Sequence, residues 1–173
     1  MQINLQIETE EPRWLEAISD IDAIMQNVKN ATFDYVAMHE NIDVLKADKP
    51  IIVNVCLSND AHVWQLNRDF RNQDKPTNVL SFANVDFDDF DAQNEPFAEI
   101  ELGDIIIAYE TMVREAETEN ITLYAHFCHL LVHGFLHILG FDHIEDDEAE
   151  YMESFEKAIL QSIGIANPYE ESL

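Results

Sequence analysis

Three histidines within eleven residues form the stretch of this sequence that is best suited to chemistry. In HGFLHILGFDH, His133 and His137 are four residues apart, and His143 follows three residues after Gly140. Residues four apart on an α-helix share one face and lie about 6 Å apart along its axis, so two imidazoles can point at one ion. Gly140 can adopt the left-handed conformation that ends a helix, and the chain can then bring His143 back to the same point.

The expected site is catalytic rather than structural. Three neutral imidazoles leave one corner of a tetrahedral metal open for water, and a bound zinc ion lowers the pKa of that water to about 7. A lone histidine in an apolar helix is more often a core residue, but three at these spacings favour shared coordination. We therefore predict one Zn²⁺ per chain, bound by His133, His137 and His143.

The other histidines are less suited to the site. His129 precedes His133 by four residues, but no third ligand after a glycine belongs to that pair. We assign His129 to a supporting position beside the metal ligands or to the core. His62 is far away in the sequence and is expected to be exposed.

The histidine spacing also matches that of the metzincin peptidases, apart from one position. Those enzymes carry a glutamate directly after the first histidine, and it acts as the general base on the metal-bound water. This chain has Gly134 there, which has no side chain to accept a proton. A peptidase of this type is therefore disfavoured, and the identity of the general base is left open between Asp142, Asp104 and a water molecule.

On composition alone, the charge of the chain argues against binding to nucleic acid. It has 35 acidic and nine basic residues and a net charge of −26, and such a surface repels polyanions at long range. The densest basic stretch contains Arg68, Arg71 and Lys75. These residues could form a local positive patch, but basic groups are also common at exposed helix ends because they suit the helix dipole.

The sequence carries no sign of a membrane span or of secretion. No apolar run approaches the ~20 residues that a spanning helix needs, and the first residues, MQINLQIETEEPRW, lack a positive region followed by an apolar one. Cys56 and Cys128 form no CxxC pair and are expected to be reduced. We therefore expect a cytoplasmic protein.

The acidic stretch 86–97 lacks the spacing and the glycine of an EF-hand and is expected to be a solvated loop.

The helix that carries the histidines must be held by other elements. Alternating or β-branched runs predict strands, and apolar residues at spacings of three and four predict helices. The predicted strands are 2–8, 50–57, 77–83 and 103–110, and the predicted helices are 12–28, about 60–72, 111–118, 121–139 and 146–163. This order predicts an α+β fold with one domain over 1–173, a small mixed four-stranded sheet covered by helices, and a central, zinc-hydrolase-like helix. The first two strands can pair in parallel and the last two antiparallel, while the strand order stays open.

Three stretches resemble one known family. HGFLHILGFDH is similar to the pattern H-G-x-L-H-L-x-G-Y-D-H, with Ile138 and Phe141 as departures. LNRDFRNQDKPTNVLSF, residues 66–82, is similar to L-N-x-x-[YF]-R-x-x-D-x-P-T-N-V-L-S-F, and LGDIII at residues 102–107 also matches. Through these patterns the chain resembles the bacterial rRNA maturation factors known as the YbeY family, over most of residues 66–143.

The resemblance implies a single-domain α+β metalloprotein with zinc on the three histidines. It implies a metal-dependent endoribonuclease, specific for single strands, that matures the 3′ end of 16S rRNA and takes part in ribosome quality control. The implied partners are this RNA, the small ribosomal subunit and the proteins associated with it. The resemblance also implies that Arg71 is functionally important.

Physical chemistry suggests what Arg71 would do. An arginine can clamp a phosphate oxygen with its planar fork, and Lys75 could add local positive charge. On an acidic chain, a pairing of Arg71 with a neighbouring carboxylate is the competing interpretation.

Two other functions stay open on the sequence. The chain could be another metallohydrolase, although Gly134 speaks against a peptidase. It could also be a non-catalytic assembly factor of the small ribosomal subunit, in which a metal only stabilises the fold. A fourth protein ligand on the metal would support that last hypothesis, and a coordinated water would oppose it.

Overall fold

The structure, a computed structural model, describes residues 1–73, 77–91 and 95–170. Within these residues it contains four strands and seven helices. In chain order they are β1 (Ile3–Thr9), α1 (Arg13–Ala17), α2 (Ile21–His39), α3 (Asp43–Lys46), β2 (Ile51–Ser58), α4 (Asp60–Arg71), β3 (Val79–Ala83), β4 (Ile100–Ala108), α5 (Tyr109–Glu119), α6 (Leu123–Ile138) and α7 (Asp146–Ser162).

The four strands form one mixed sheet in the order β1-β2-β4-β3. β2 pairs in parallel with both β1 and β4, and β3 pairs antiparallel with β4. Parallel neighbours need a crossover connection, and α1 to α3 supply one between β1 and β2. The α+β class, the mixed four-stranded sheet and both expected pairings are therefore confirmed.

The two faces of the sheet have different neighbours. On β2, Val55 and Leu57 point into the main core, which α2, α6 and α7 complete. Cys56 lies between them in the sequence, so it points to the opposite face, because successive strand residues alternate. There it packs with a smaller apolar cluster that includes Val63 of α4 and Ile106 of β4.

The helix that carries the histidines packs unusually closely on β4. A Cβ atom added at Gly134 would lie 2.9 Å from Cγ2 of Ile105, which is closer than carbon atoms normally approach. Ile105 is fully buried and β-branched, so it has little freedom to move away. Gly134 therefore lets α6 lie close to the sheet, which fixes the height of the histidines above it.

Two predicted boundaries are wrong. The helix predicted over 12–28 is divided, because α1 ends at Ala17 and Asp20 takes a left-handed conformation (φ 54°) before α2 begins. Trp14 of α1 is fully buried, and its indole N–H donates to the Ser58 carbonyl at 2.8 Å. The strand predicted over 103–110 ends at Ala108 because the following residues already belong to α5.

Over the part of the chain that the structure describes, no single helix combines the length and apolarity required to cross a membrane. α5 and α6 would meet that test only as a pair, and the pair is bent by 118° at the break between its helices.

Candidate metal centre

The three histidines converge at one end of α6. His133 and His137 lie on successive turns of the helix, Gly140 has a φ of 100° just after it, and His143 follows on the returning chain. One ring nitrogen from each side chain lies within 4.8 Å of the other two, and the Nε2 atoms of His133 and His137 are 3.0 Å apart. Tetrahedral coordination at about 2.0–2.1 Å places ligand nitrogens about 3.3 Å apart. The group could therefore hold a metal ion after small side-chain adjustments.

A buried carboxylate orients the first histidine. Oε1 of Glu156, on α7, lies 2.5 Å from Nδ1 of His133, and the Glu156 side chain is completely buried. Nδ1 of His133 therefore donates to the carboxylate, which leaves Nε2 for an ion. Burial alone would raise the pKa of Glu156, but hydrogen bonds from His129 and His133 outweigh it and lower that pKa to about 2. Glu156 is thus a charged group at neutral pH.

Supporting contacts hold this carboxylate from the other side. Nε2 of His129 lies 3.1 Å from Oε2 of Glu156, and the Tyr169 hydroxyl donates to the same oxygen. The expected supporting position of His129 is therefore what the structure shows. Through these hydrogen bonds, Glu156 of α7 connects α6 to Tyr169, near the end of the described residues.

The second histidine is held neutral. Nδ1 of His137 donates to the backbone carbonyl of Phe141 at 3.0 Å, which leaves Nε2 facing the other two rings. Burial, together with repulsion from His133 and His143, lowers the pKa of His137 to about 4. An unprotonated imidazole is the form that binds metals, so little proton competition is expected here at neutral pH.

The third histidine is the exposed member of the group. The His143 backbone N–H donates to Oδ1 of Asp142 at 2.7 Å, which shapes the turn after Gly140. Asp142 lines the same cleft as the histidines. Asp104, the other carboxylate considered as a base, accepts from Asn54 at 2.9 Å and lines a separate cavity on the opposite face of the sheet.

Arg71 borders the same cleft, which has a volume of about 960 Å³. It lies at the end of α4, where its guanidinium donates to the Ser81 carbonyl at 2.5 Å and lies over the Phe82 ring, 4.8 Å from the centroid. Among the described residues, its hydrogen-bond partner is thus a backbone carbonyl rather than the acidic neighbour of the competing interpretation. Lys75 lies outside the described residues.

Sequence reasoning missed Glu156 and Tyr169. A signal for Glu156 was present: it lies four residues after Met152 and three before Ile159, on the apolar face of α7. A glutamate at such a position is almost never buried unless it is paired. Its partners are 23 and 27 residues away in sequence, so the pairing itself comes from tertiary packing.

Comparison with known proteins gives a consistent result. The family model described as Endoribonuclease YbeY matches residues 13–164. A protein named Endoribonuclease YbeY from Paramagnetospirillum magneticum is 42% identical over 160 residues, which cover 92% of each chain. Proteins of the same name from Sphingopyxis alaskensis (52% over 118 residues, 68% of this chain and 70% of that one) and Sinorhizobium fredii (38% over 167 residues, 96% and 92%) are also similar.

One solved structure shares the fold. The solution structure of TM1509 from Thermotoga maritima superposes with a TM-score of 0.53 and covers 97% of this chain and 100% of its own. Its sequence identity is 21%, so this similarity concerns the fold alone.

Proposed function

The chain belongs to the endoribonuclease YbeY family, whose members act on phosphodiester bonds, and on that premise we propose that it is a zinc-dependent endoribonuclease specific for single-stranded RNA. Its proposed substrate is the 16S rRNA precursor, whose 3′ end it would mature on the small ribosomal subunit in the cytoplasm as part of ribosome quality control. Residues 1–173 would act as one domain. The observation that carries the proposal is the convergence of three imidazoles in a cleft that Arg71 also borders.

The chemistry follows from what phosphodiester hydrolysis requires. A divalent ion on the three histidines would supply Lewis-acid activation of water and of the phosphate. Arg71 would hold a non-bridging phosphate oxygen with its remaining N–H groups, while Ser81 and Phe82 keep the guanidinium in place. Asp142 is a candidate for proton transfer. Its Oδ1 is engaged by the His143 backbone, so Oδ2 would take the proton.

The surface charge supports a narrow RNA contact. With a net charge of −26, the protein would repel RNA over most of its surface. RNA contact would be confined to the cleft beside Arg71, or a basic protein partner on the ribosomal subunit would bring the strand to it. Lys75, in the same basic stretch, would add positive charge.

The metal assignment is tested with His137→Ala. Two remaining imidazoles rarely hold a catalytic metal, so we expect the loss of the cleft-bound ion and a loss of cleavage of about a hundredfold or more, because the ion would activate the attacking water. Metal content is measured by mass spectrometry after dialysis, and activity on a labelled single-stranded RNA. His39→Ala, at the end of α2, serves as the control. A His137→Ala protein that kept a full complement of metal and its activity would refute the assignment.

The phosphate clamp is tested with Arg71→Ala beside Arg68→Ala. Both arginines lie in the last turn of α4, but Arg68 pairs with Asp69 at the surface. We expect Arg71→Ala to bind metal normally and to cleave single-stranded RNA at least tenfold more slowly, as expected when about 1.4 kcal/mol of transition-state stabilisation is lost. Arg68→Ala should cleave at nearly the parental rate. Equal rates for all three proteins would rule out the clamp.

A further inference from the structure

A second group of metal-binding side chains lies on the sheet face opposite α6. Glu10 directly follows β1, Cys56 lies near the end of β2, and His62 lies in the first turn of α4. One donor atom from each residue lies within 4.8 Å of the other two. His62, which was expected to be exposed, is half-exposed, with 35% of its side chain accessible, because the first turn of α4 places it beside the carboxyl ends of two parallel strands.

The donor atoms are already gathered by hydrogen bonds. Nδ1 of His62 lies 2.6 Å from Oε2 of Glu10. The Ser58 hydroxyl donates to the same carboxylate oxygen at 2.8 Å and lies 3.0 Å from the His62 Nδ1. The carboxylate and the imidazole therefore face one point, and the Cys56 thiol borders it.

The backbone around these side chains is fixed. Trp14, which is completely buried, donates its indole N–H to the Ser58 carbonyl at the end of β2. Asn59 caps α4 by accepting from the His62 backbone N–H at 3.0 Å. The turn that connects β2 to α4 is thus held at both ends, and His62 is carried by a preformed helix end rather than by a loose loop.

We propose that Glu10, Cys56 and His62 form a second metal site, separate from the three histidines and selective for Zn²⁺. Thiolate and imidazole ligands with one carboxylate suit zinc, whereas magnesium and calcium prefer sites made only of oxygen atoms. A cavity of about 610 Å³ opens beside the group and is lined by all three residues, so an ion and a water as fourth ligand have access. The chain would then bind two zinc ions instead of the single ion predicted from its sequence.

Binding of an ion at this site would release one proton. Cysteine binds a metal as the thiolate, so the Cys56 thiol proton would leave to solvent and the sulfur would bond to the metal. The carboxylates of Glu10 and Glu8, which line the same cavity, would attract the cation.

An ion at this position would join three elements. β1, β2 and the start of α4 would share it, and α4 carries Arg71 at its other end. The site itself does not depend on the proposed ribonuclease activity, because it contains none of the residues of the histidine cleft.

Cobalt titration tests the site, because Co²⁺ accepts the ligands of Zn²⁺ and absorbs in the near ultraviolet when a thiolate is bound. Sulfur is present in this site and absent from the histidine cluster, so the absorption reports Cys56 alone. We expect the metal-free wild type to bind two equivalents of Co²⁺, one of them with the sulfur band. His137→Ala should lose one equivalent and keep the band. Cys56→Ser should lose one equivalent together with the band, and Cys128→Ala should keep both.

Two outcomes would overturn the proposal. One is a folded wild type that takes up cobalt without the sulfur absorption band, and the other is a Cys56→Ser protein in which that band persists. Should Cys56→Ser fail to fold by circular dichroism, His62→Gln and Glu10→Gln replace it, and each must weaken the band at subsaturating metal at least tenfold. Failure of the histidine site instead would show as one equivalent that carries the band in the wild type, so the two hypotheses fail separately.

Discussion

Glu156, on a distant helix, orients the first of the three clustered histidines. A fully buried carboxylate is costly unless it is paired, and here it is shared between His133 and His129. Its contact with His133 selects the tautomer that offers Nε2 to a metal. A mutation at this site would therefore act on metal binding without touching the ion.

We expect Glu156→Gln to lower metal affinity about 10- to 100-fold, which is the usual effect of losing a carboxylate behind a histidine ligand. Glutamine keeps the shape but lacks the charge and can accept through only one of its two terminal atoms. The dissociation constant is measured by competition with a chromogenic chelator. Glu150→Gln, exposed on the same helix, should bind like the wild type. Equal affinities for both variants would show that the Glu156 contact does not orient His133.

A second prediction at the residue scale concerns Cys128 and the pH dependence of the unfolding free energy. Burial raises the pKa of this thiol from its ordinary value of 9.0 to about 12. A raised folded-state pKa gives stability that is complete below the unfolded value and declines as pH rises toward the folded one. Relative to Cys128→Ala, the wild type should lose up to about 1.4 kcal/mol of unfolding free energy per pH unit between about pH 9 and 12. Parallel stability curves for the two proteins in denaturant titrations would contradict this.

At the scale of elements, the position of α6 depends on the absence of a side chain at Gly134. Gly134 stands where a peptidase of the same histidine spacing has its catalytic glutamate, and in this fold that position faces Ile105 of the sheet. The glycine therefore has a packing reason as well as a chemical consequence. A side chain at 134 would push the histidine helix away from β4.

We expect Gly134→Ala to destabilise the protein even though alanine favours helices. The propensity gain is about 1 kcal/mol, whereas overpacking costs about 1–3 kcal/mol, so the net loss should reach up to about 2 kcal/mol. Urea titration measures it, with an unchanged slope as the sign that the unfolded state is unaffected. In an Ile105→Ala background the crowding is gone, and the same substitution should be neutral or stabilising. An identical effect in both backgrounds would show that Ile105 is not the obstacle.

Local patterns in the sequence account for much of this architecture. The spacing of His133 and His137, followed by Gly140, was enough to predict the end of α6 and the return of His143, because helix geometry fixes such short distances. The β-branched run of β2 likewise predicted its strand. The division of α1 from α2 was not predictable, because the stripe of buried residues from Trp14 to Val28 continues through the break.

Contacts between distant elements were beyond the sequence for a different reason. The pairing of His133 with Glu156 and the meeting of Glu10, Cys56 and His62 depend on how helices pack and on strand order. Periodicity shows which face of an element is buried but not which element covers it. The three histidines lie within eleven residues, so local geometry was enough to predict their meeting, whereas Glu156 comes from a separate helix.

At the scale of the whole molecule, the negative net charge opposes the approach of the proposed RNA substrate. A surface with a net charge of −26 repels RNA at distances where the Arg71 contact has no effect. Salt shortens that repulsion, since the Debye length falls from about 30 Å at 0.01 M to about 10 Å at 0.1 M ionic strength. Salt also weakens each phosphate contact. The logarithm of the binding constant falls with the logarithm of the salt concentration, with a slope of only about −0.7 per neutralised phosphate on a single strand.

The salt dependence of cleavage should therefore be inverted relative to a basic nuclease. With Arg71 as the main phosphate contact, we expect kcat/KM for a short single-stranded RNA to rise as ionic strength increases from about 0.01 to 0.1 M, because relief of the long-range repulsion exceeds the loss at one contact. The metal concentration is held constant, and the buffer contains no crowding agent, so that only the ionic strength changes. The same rise should occur in Arg71→Ala and be steeper, since that protein keeps the repulsion and loses the opposing contact. A decline with a slope steeper than about −1.4 would mean that at least two phosphates are neutralised and that the acidic surface does not govern encounter.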